Sequence, residues 1–174
     1  LQSEFEKIDI KREDRNYVNI KGEETFLEEA RKMLRAAEKE IYLNTNYDLN
    51  LFKDELKLLN EKDVRVILFS FHNLDWDGLE NSVEFYHHDK EEGPNEEKRM
   101  MLVVDEEEVL IANRKKQGEL LGTFTKNDLL VSIVSEHIHH DIYLLKLKQK
   151  YGADLVDEDI RLNSHFEEYI TLGE

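Results

Sequence analysis

Apolar and polar positions along this chain fall into helical stripes separated by short alternating runs. "EETFLEEARKMLRAAEKE" carries the clearest stripe: Phe26, Leu27, Ala30, Met33, Leu34 and Ala37 recur at helical spacing and predict a helix with one buried face. Before it, "YVNIKG" alternates as a short strand that stops at Gly22. After it come a strand "IYLNT", a helix over "LNLFKDELKLLNEK" with Leu51, Phe52, Leu56 and Leu59 inward, and the apolar strand "VRVILFS". Strands alternating with amphipathic helices imply crossover connections and a largely parallel, buried sheet.

The second half reads differently. A strand around "SVEFYH" leads into "HDKEEGPNEEK", whose charges and single proline predict a solvated loop. "RMMLVVD" and "EVLIAN" follow as apolar strands joined by an acidic turn, with "GELLGTFT" behind them. Asn127 or Asp128 can cap a long helix that stops at Gly152. Leu129, Leu130, Ile133, Val134, Ile138, Ile142 and Leu145 make that helix strongly apolar, so its polar residues must face a rim, a pocket or another subunit. Beyond it, Leu155 to Ile170 predicts a short helix with Ile160, Phe166, Tyr169 and Ile170 available for packing. At the other end, Leu1, Phe5 and Ile8 in "LQSEFEKI" sit at heptad-like spacing with no initiator Met, which reads as the tail of a longer helix.

Composition narrows the class. A chain of 174 residues holds one domain with appendages. With no cysteine it can form neither disulfides nor a thiolate metal site. No apolar run is long enough to span a bilayer and no signal-like segment opens the chain, so a cytoplasmic protein without a membrane partner is expected. The formal net charge of −16 is spread along the sequence and repels phosphate, so any grip on DNA must come from residues outside this segment.

Two sets of side chains could carry chemistry. In "SEHIHHDIYLL", His137, His140 and Asp141 are spaced to share one helical face, as metal ligands do. A metal would need further ligands, and the comparable group, His87, His88 and Asp89, abuts the charged loop. These residues are therefore read as polar contacts at a helix interface, with no metal and no cofactor expected. In parallel sheets ligands sit beyond the carboxyl ends of the strands. That rim carries Asn44, Asn46, Ser70 and His72, which could orient a hydroxyl-rich ligand or simply cap the loops that follow.

"KRMMLVVDEEEVLIANRKK" resembles the phospholipase D signature, in which H-x-K-x4-D is followed after six residues by G-S-x-N. With Asp105 as anchor, Lys98 stands at the His position and Met100 at the Lys position. Ala112, Asn113, Arg114 and Lys115 supply neither the Gly, the Ser nor the final Asn. Cleavage through a phosphohistidine cannot proceed without that His. The resemblance supports the fold and argues against its chemistry.

"FLEEARKMLRAAEKEIYLNT", "LKLLNEKDVRVILFS", "MMLVVDEEEVLIA", "GTFTKND" and "LLVSIVSEHIHHDIYLLKLKQKYG", in that order, resemble the effector domain of TrmB-type, sugar-responsive transcriptional regulators. That resemblance implies an α/β fold with a mixed, mostly parallel sheet flanked by helices, phospholipase D-like, with a single half per chain. It also implies a homodimer, a small-molecule effector such as a sugar, and a DNA-binding winged helix preceding this segment. Longer members carry additional C-terminal structure that contributes to sugar binding, so their sugar contacts cannot be transferred to positions here. The expected divisions are 1–12 as a linker-helix remnant, 13–152 as the effector domain and 153–174 as a helical extension. The chain reads as a sensing and dimerising domain and not an enzyme. Two other readings stand beside it: a phosphodiesterase of the same fold using His87 or His88, and a dimerisation scaffold with no ligand.

Overall fold

Gly22 makes the first junction. At φ 85° it turns the chain from β1 (Tyr17–Lys21) into α1 (Glu23–Ala36), a conformation that costs a residue without Cβ little. Glu23 and Glu24 occupy the first turn of α1, where the free amides and the helix dipole favour negative charge. Phe26, Ala30, Met33 and Leu34 are buried along the expected stripe. The computed structural model describes residues 17–88, 97–114, 118–152 and 155. The readings at Leu1, Phe5 and Ile8, at Asp89, and at Ile160, Phe166, Tyr169 and Ile170 lie outside the described residues.

After β2 (Glu40–Thr45), the Asp48 carboxylate accepts from Asn50 N at 2.9 Å and starts a 3-10 turn over Leu49–Phe52, continued by α2 (Lys53–Glu61). Three residues per turn place Leu49 and Phe52 on one face, so those two point inward with Leu56 and Leu59. Leu51, expected inside, is 37% exposed because the expectation assumed one continuous α-helical phase.

The remaining elements are β3 (Arg65–Ser70), β4 (Glu84–His87), β5 (Lys98–Val104), β6 (Glu108–Arg114), β7 (Leu121–Thr125) and α3 (Asp128–Tyr151). One seven-stranded sheet runs in the order β1-β7-β6-β5-β2-β3-β4. The α/β class and the mixed sheet are as expected, but "mostly parallel" is not. Parallel pairing is confined to β2–β3 and β3–β4, and the other four pairings are antiparallel. The reason is local: β5 and β6 are joined by a turn at Asp105–Glu107, too short for a crossover, and β7 follows β6 after another short connection. The 3-10 turn with α2, and the connection over residues 71–83, are long enough to return the chain parallel to its neighbour.

β1, β2, β3, β4 and β6 still point the same way, so their carboxyl ends share one rim with the amino ends of β5 and β7. α1 and α2 cover one face of the sheet, packing on Ile41, Leu43, Val66, Leu68, Met100 and Leu102. α3 covers the other through Val131, Val134, Ile138, Ile142 and Leu145, against Tyr42, Ile67, Phe69, Met101 and Val103. Asn127 caps α3 by accepting from Leu130 N at 3.1 Å, and the helix ends at Gly152 (φ 104°).

Candidate functional site

Strand alternation divides the rim between the two faces. On β2, Tyr42 and Asn44 face α3; on β3, Val66 and Leu68 face α1 and α2, which puts Ser70 on that side. Asn44, 2% exposed, donates from Nδ2 to Asp141 Oδ2 at 3.0 Å and so ties the end of β2 to the middle of α3. His137, one turn earlier on α3, holds Nε2 3.5 Å from the same carboxylate oxygen and 3.1 Å from Arg99 Nη2. The two contacts are alternatives, because Nε2 offers Arg99 a lone pair in one protonation state and Asp141 a proton in another. Burial pushes the Asp141 carboxyl above the usual carboxylate range, against the opposing pull of His137, Arg99, His88 and the Asn44 amide.

His88 reaches this group from the edge of the sheet. Its amide donates to Ser70 O at 3.2 Å, and its ring stacks on Phe71 with 5.9 Å between centroids. The two histidine-rich stretches thus approach each other at Asp141, while His87 packs on Phe85 and His140 lies exposed on the outer side of α3. His137 and Asp141 therefore meet, and His140 does not join them. Among the described residues no group of three or more His, Asp or Glu side chains is disposed to hold a metal ion.

The other rim residues are engaged in holding strands together. Asn46 donates from Nδ2 to Glu97 O at 2.7 Å and accepts from Arg99 N at 2.8 Å, extending the β2–β5 pairing beyond the strand end. Ser70 Oγ accepts from His72 N at 3.1 Å across a tight turn. Asn44, Asn46, Ser70 and His72 lie along one rim, but Asn44 and Ser70 open onto opposite faces.

The signature positions lie on the α1 side. Lys98 donates from Nζ to Asn46 O at 3.0 Å and sits 5.9 Å from the Tyr47 ring centroid. Met100 is buried in the core where a phosphate-holding lysine would need to reach a substrate. At the far end of β5, Asp105 retains a different task. Its carboxylate accepts from the amides of Glu38 (2.9 Å), Lys39 (2.7 Å) and Glu40 (3.0 Å), fastening the β5–β6 turn to the start of β2. Burial works to raise its pKa, but the three amides and Lys39 outweigh it and hold the carboxyl below its ordinary range. Asp105 and Glu106 take left-handed φ values of 54° and 58°, a strain that this fastening offsets.

Two members of this region were not picked out from the sequence. Arg99 alternates with Lys98 and Met100 and so had to face α3, a signal legible once the strand is fixed. Tyr47 is buried at 2% exposure with no hydrogen bond to its hydroxyl among the described residues, and burial pushes that hydroxyl up to about 12. An open cleft of about 320 Å³ lies at the opposite rim, by the amino ends of β3 and β4, between Asn60, Asp63, Glu80 and the Arg65–Glu84 ion pair.

Comparison with known proteins follows the same lines. The family described as transcriptional regulator TrmB, effector-binding domain N-terminal subdomain, matches residues 17–137. Among solved structures, TrmBL2, an archaeal chromatin protein described as showing a novel mode of DNA binding, superimposes with a TM-score of 0.58 at 19% identity, over 80% of this chain and 55% of its own. The chain therefore spans little more than half the length of TrmBL2. The phospholipase D family member Nuc from Salmonella typhimurium gives 0.55 at 13% identity, over 74% of this chain and 95% of Nuc. NucT from Helicobacter pylori gives 0.53 at 7% identity, over 71% and 94%. No curated protein sequence matches. The last two likenesses establish a phospholipase D-like fold, whose signature is degenerate here at Lys98 and Met100. With its family matched over well more than half its length, the chain belongs to the TrmB transcriptional regulators, as the N-terminal subdomain of their effector-binding domain.

Proposed function

We propose that residues 13–152 sense a small-molecule effector, such as a sugar, at the strand-end rim and act as a homodimer within a cytoplasmic transcriptional regulator. DNA is gripped by a winged helix outside this sequence, with 1–12 as the linker to it and 153–174 as an extension. The formal net charge of −16 supports assigning DNA contact elsewhere, since this surface repels phosphate. The domain is not an enzyme in this reading: Lys98 and Met100 replace the nucleophile and the phosphate anchor of the signature.

One observation carries the sensing role. Asn44 is at once a rim residue and the partner of Asp141 on α3, at 3.0 Å. A hydroxyl-rich ligand that takes the Asn44 amide removes a donor from a carboxylate that burial already disfavours. α3 then settles differently against the sheet, and a ligand that prefers one setting shifts the population toward it. The test is thermal melting with a panel of mono- and disaccharides. One of them, at a hundred times its Kd, is expected to stabilise the domain by about 2.7 kcal/mol. Asn44→Ala should erase that shift. A panel with no effect, or a shift untouched in Asn44→Ala, would remove the assignment.

A further inference from the structure

α3 is apolar on two opposite sides, and the sheet covers only one. Opposite the buried residues, Leu129 (68% exposed), Ile133, Leu144, Leu147 and Tyr151 (62%) form a stripe in the open. The 24 residues of α3 extend about 36 Å at 1.5 Å per residue. The six residues of β2 reach only about 20 Å. α3 packs on the sheet from Val131 to Leu145, so its last turn and a half runs beyond that contact, and no other part of the described subunit packs on the outer stripe.

Four of the five apolar positions are symmetric about His140, and the fifth, Leu144, has Glu136 as its mirror position. Leu129 and Tyr151 lie eleven residues to either side of it, and Ile133 and Leu147 seven. Seven and eleven are both close to whole numbers of helical turns, so these four and His140 share one face. These four apolar positions fit an antiparallel copy of themselves, with Leu129 on Tyr151, Ile133 on Leu147 and His140 on its twin, while Leu144 meets Glu136 at the side of the contact. Charge selects the same direction. Asp128 and Glu136 lie in the amino half of α3 and Lys148 and Lys150 in the carboxyl half, so antiparallel pairing sets opposite signs together and parallel pairing sets like on like. On a chain of formal charge −16, this face holds a single acid, Glu136, between Leu129 and Tyr151, which lets two copies approach. Building on the dimeric reading above, we infer that the outer face of α3 pairs antiparallel with α3 of a second copy, around a two-fold axis at His140.

The 174-residue chain has no cysteine, so His140→Cys introduces a single reporter into it, at the proposed axis. A disulfide needs Cα atoms within about 7 Å, which pairing about residue 140 provides; Ile133→Cys should not cross-link in the antiparallel register, where it faces Leu147, but would in a parallel one. The expected result is rapid covalent dimerisation of His140→Cys under mild oxidation. Leu147→Asp, at an exposed position that leaves the fold intact by circular dichroism, should weaken the dimer about 30-fold or more by burying an unpaired charge. A dimer by sedimentation that neither cross-links at His140→Cys nor responds to Leu147→Asp overturns this interface and leaves the dimeric reading standing. A monomer at micromolar concentration overturns both. A monomer that begins to dimerise once residues 156–174 are deleted would identify that segment as the occupant of the stripe, and overturns them equally.

Discussion

The Asn44 amide and the Asp141 carboxylate meet at 3.0 Å across the gap between the sheet and α3, joining the strand-end rim to the helix with the exposed apolar face. The pair is unequal. Asn44 is buried, whereas Asp141 is partly buried and its carboxyl is pushed above the usual range by burial, against the opposing pull of its neighbours. Asn44→Ala is therefore expected to destabilise the domain by about 1–3 kcal/mol, read from urea denaturation.

Asp141→Asn should cost less, because it keeps a group for Asn44 to bond and removes the charge that burial disfavours. The sign with pH follows. A carboxyl whose folded pKa is raised contributes stability fully only below its unfolded pKa and loses it as pH rises through the folded value. Relative to the parent, Asp141→Asn should thus fare better at neutral pH than in acid, where Asp141 is protonated in both the folded and the unfolded state. An equal difference at every pH would show that Asp141 is not strained by burial.

Asp105 behaves in the opposite sense. Its pKa is held low in the folded state, so its contribution is present above the unfolded carboxylate value and is lost as pH falls through the depressed folded one. Asp105→Asn should lower stability at neutral pH by about 1.5–3 kcal/mol and flatten the acid limb of the stability profile. The variant and parent profiles should converge at strongly acid pH; parallel profiles would contradict the amide fastening.

Gly122 on β7 lies against α1, where an added Cβ would stand 3.1 Å from Phe26 Cδ2 and 3.3 Å from Ile111 O. The backbone oxygen cannot yield as a flexible side chain would. Gly122→Ala is expected to cost about 1–3 kcal/mol, visible as a lowered melting temperature with the fold retained.

A model phosphodiester should not be turned over by the purified domain. Lys98 is committed to Asn46 O and Met100 is buried, so neither nucleophile nor anchor is presented. Cleavage that disappears in His88→Ala would reverse this reading.

Much of this architecture is legible in the sequence because it is local. The stripe from Phe26 to Ala37 specifies α1, the Asn127 cap and Gly152 bound α3, and Asp105 with Lys98 and Met100 locates the degenerate signature. Strand order is not local. Nothing near β5 or β7 states that they insert among strands of the other direction, and the sheet is mostly antiparallel in its pairing as a result. For the same reason the rim residues could be named but not sorted by face, and the partnership of Asn44 with Asp141, 97 positions apart, stayed hidden. The phase of Leu51 was lost to a 3-10 turn that only the Asp48 cap announces.

The coupling from rim to helix is tested most directly by amide hydrogen exchange along α3, with and without the saccharide that gives the largest thermal shift. Binding is expected to change exchange around His137–Leu145, the turns that flank Asp141, and Asn44→Ala to abolish this change. Exchange in α3 that stays the same while a saccharide binds, or an effect that persists in Asn44→Ala, would contradict it.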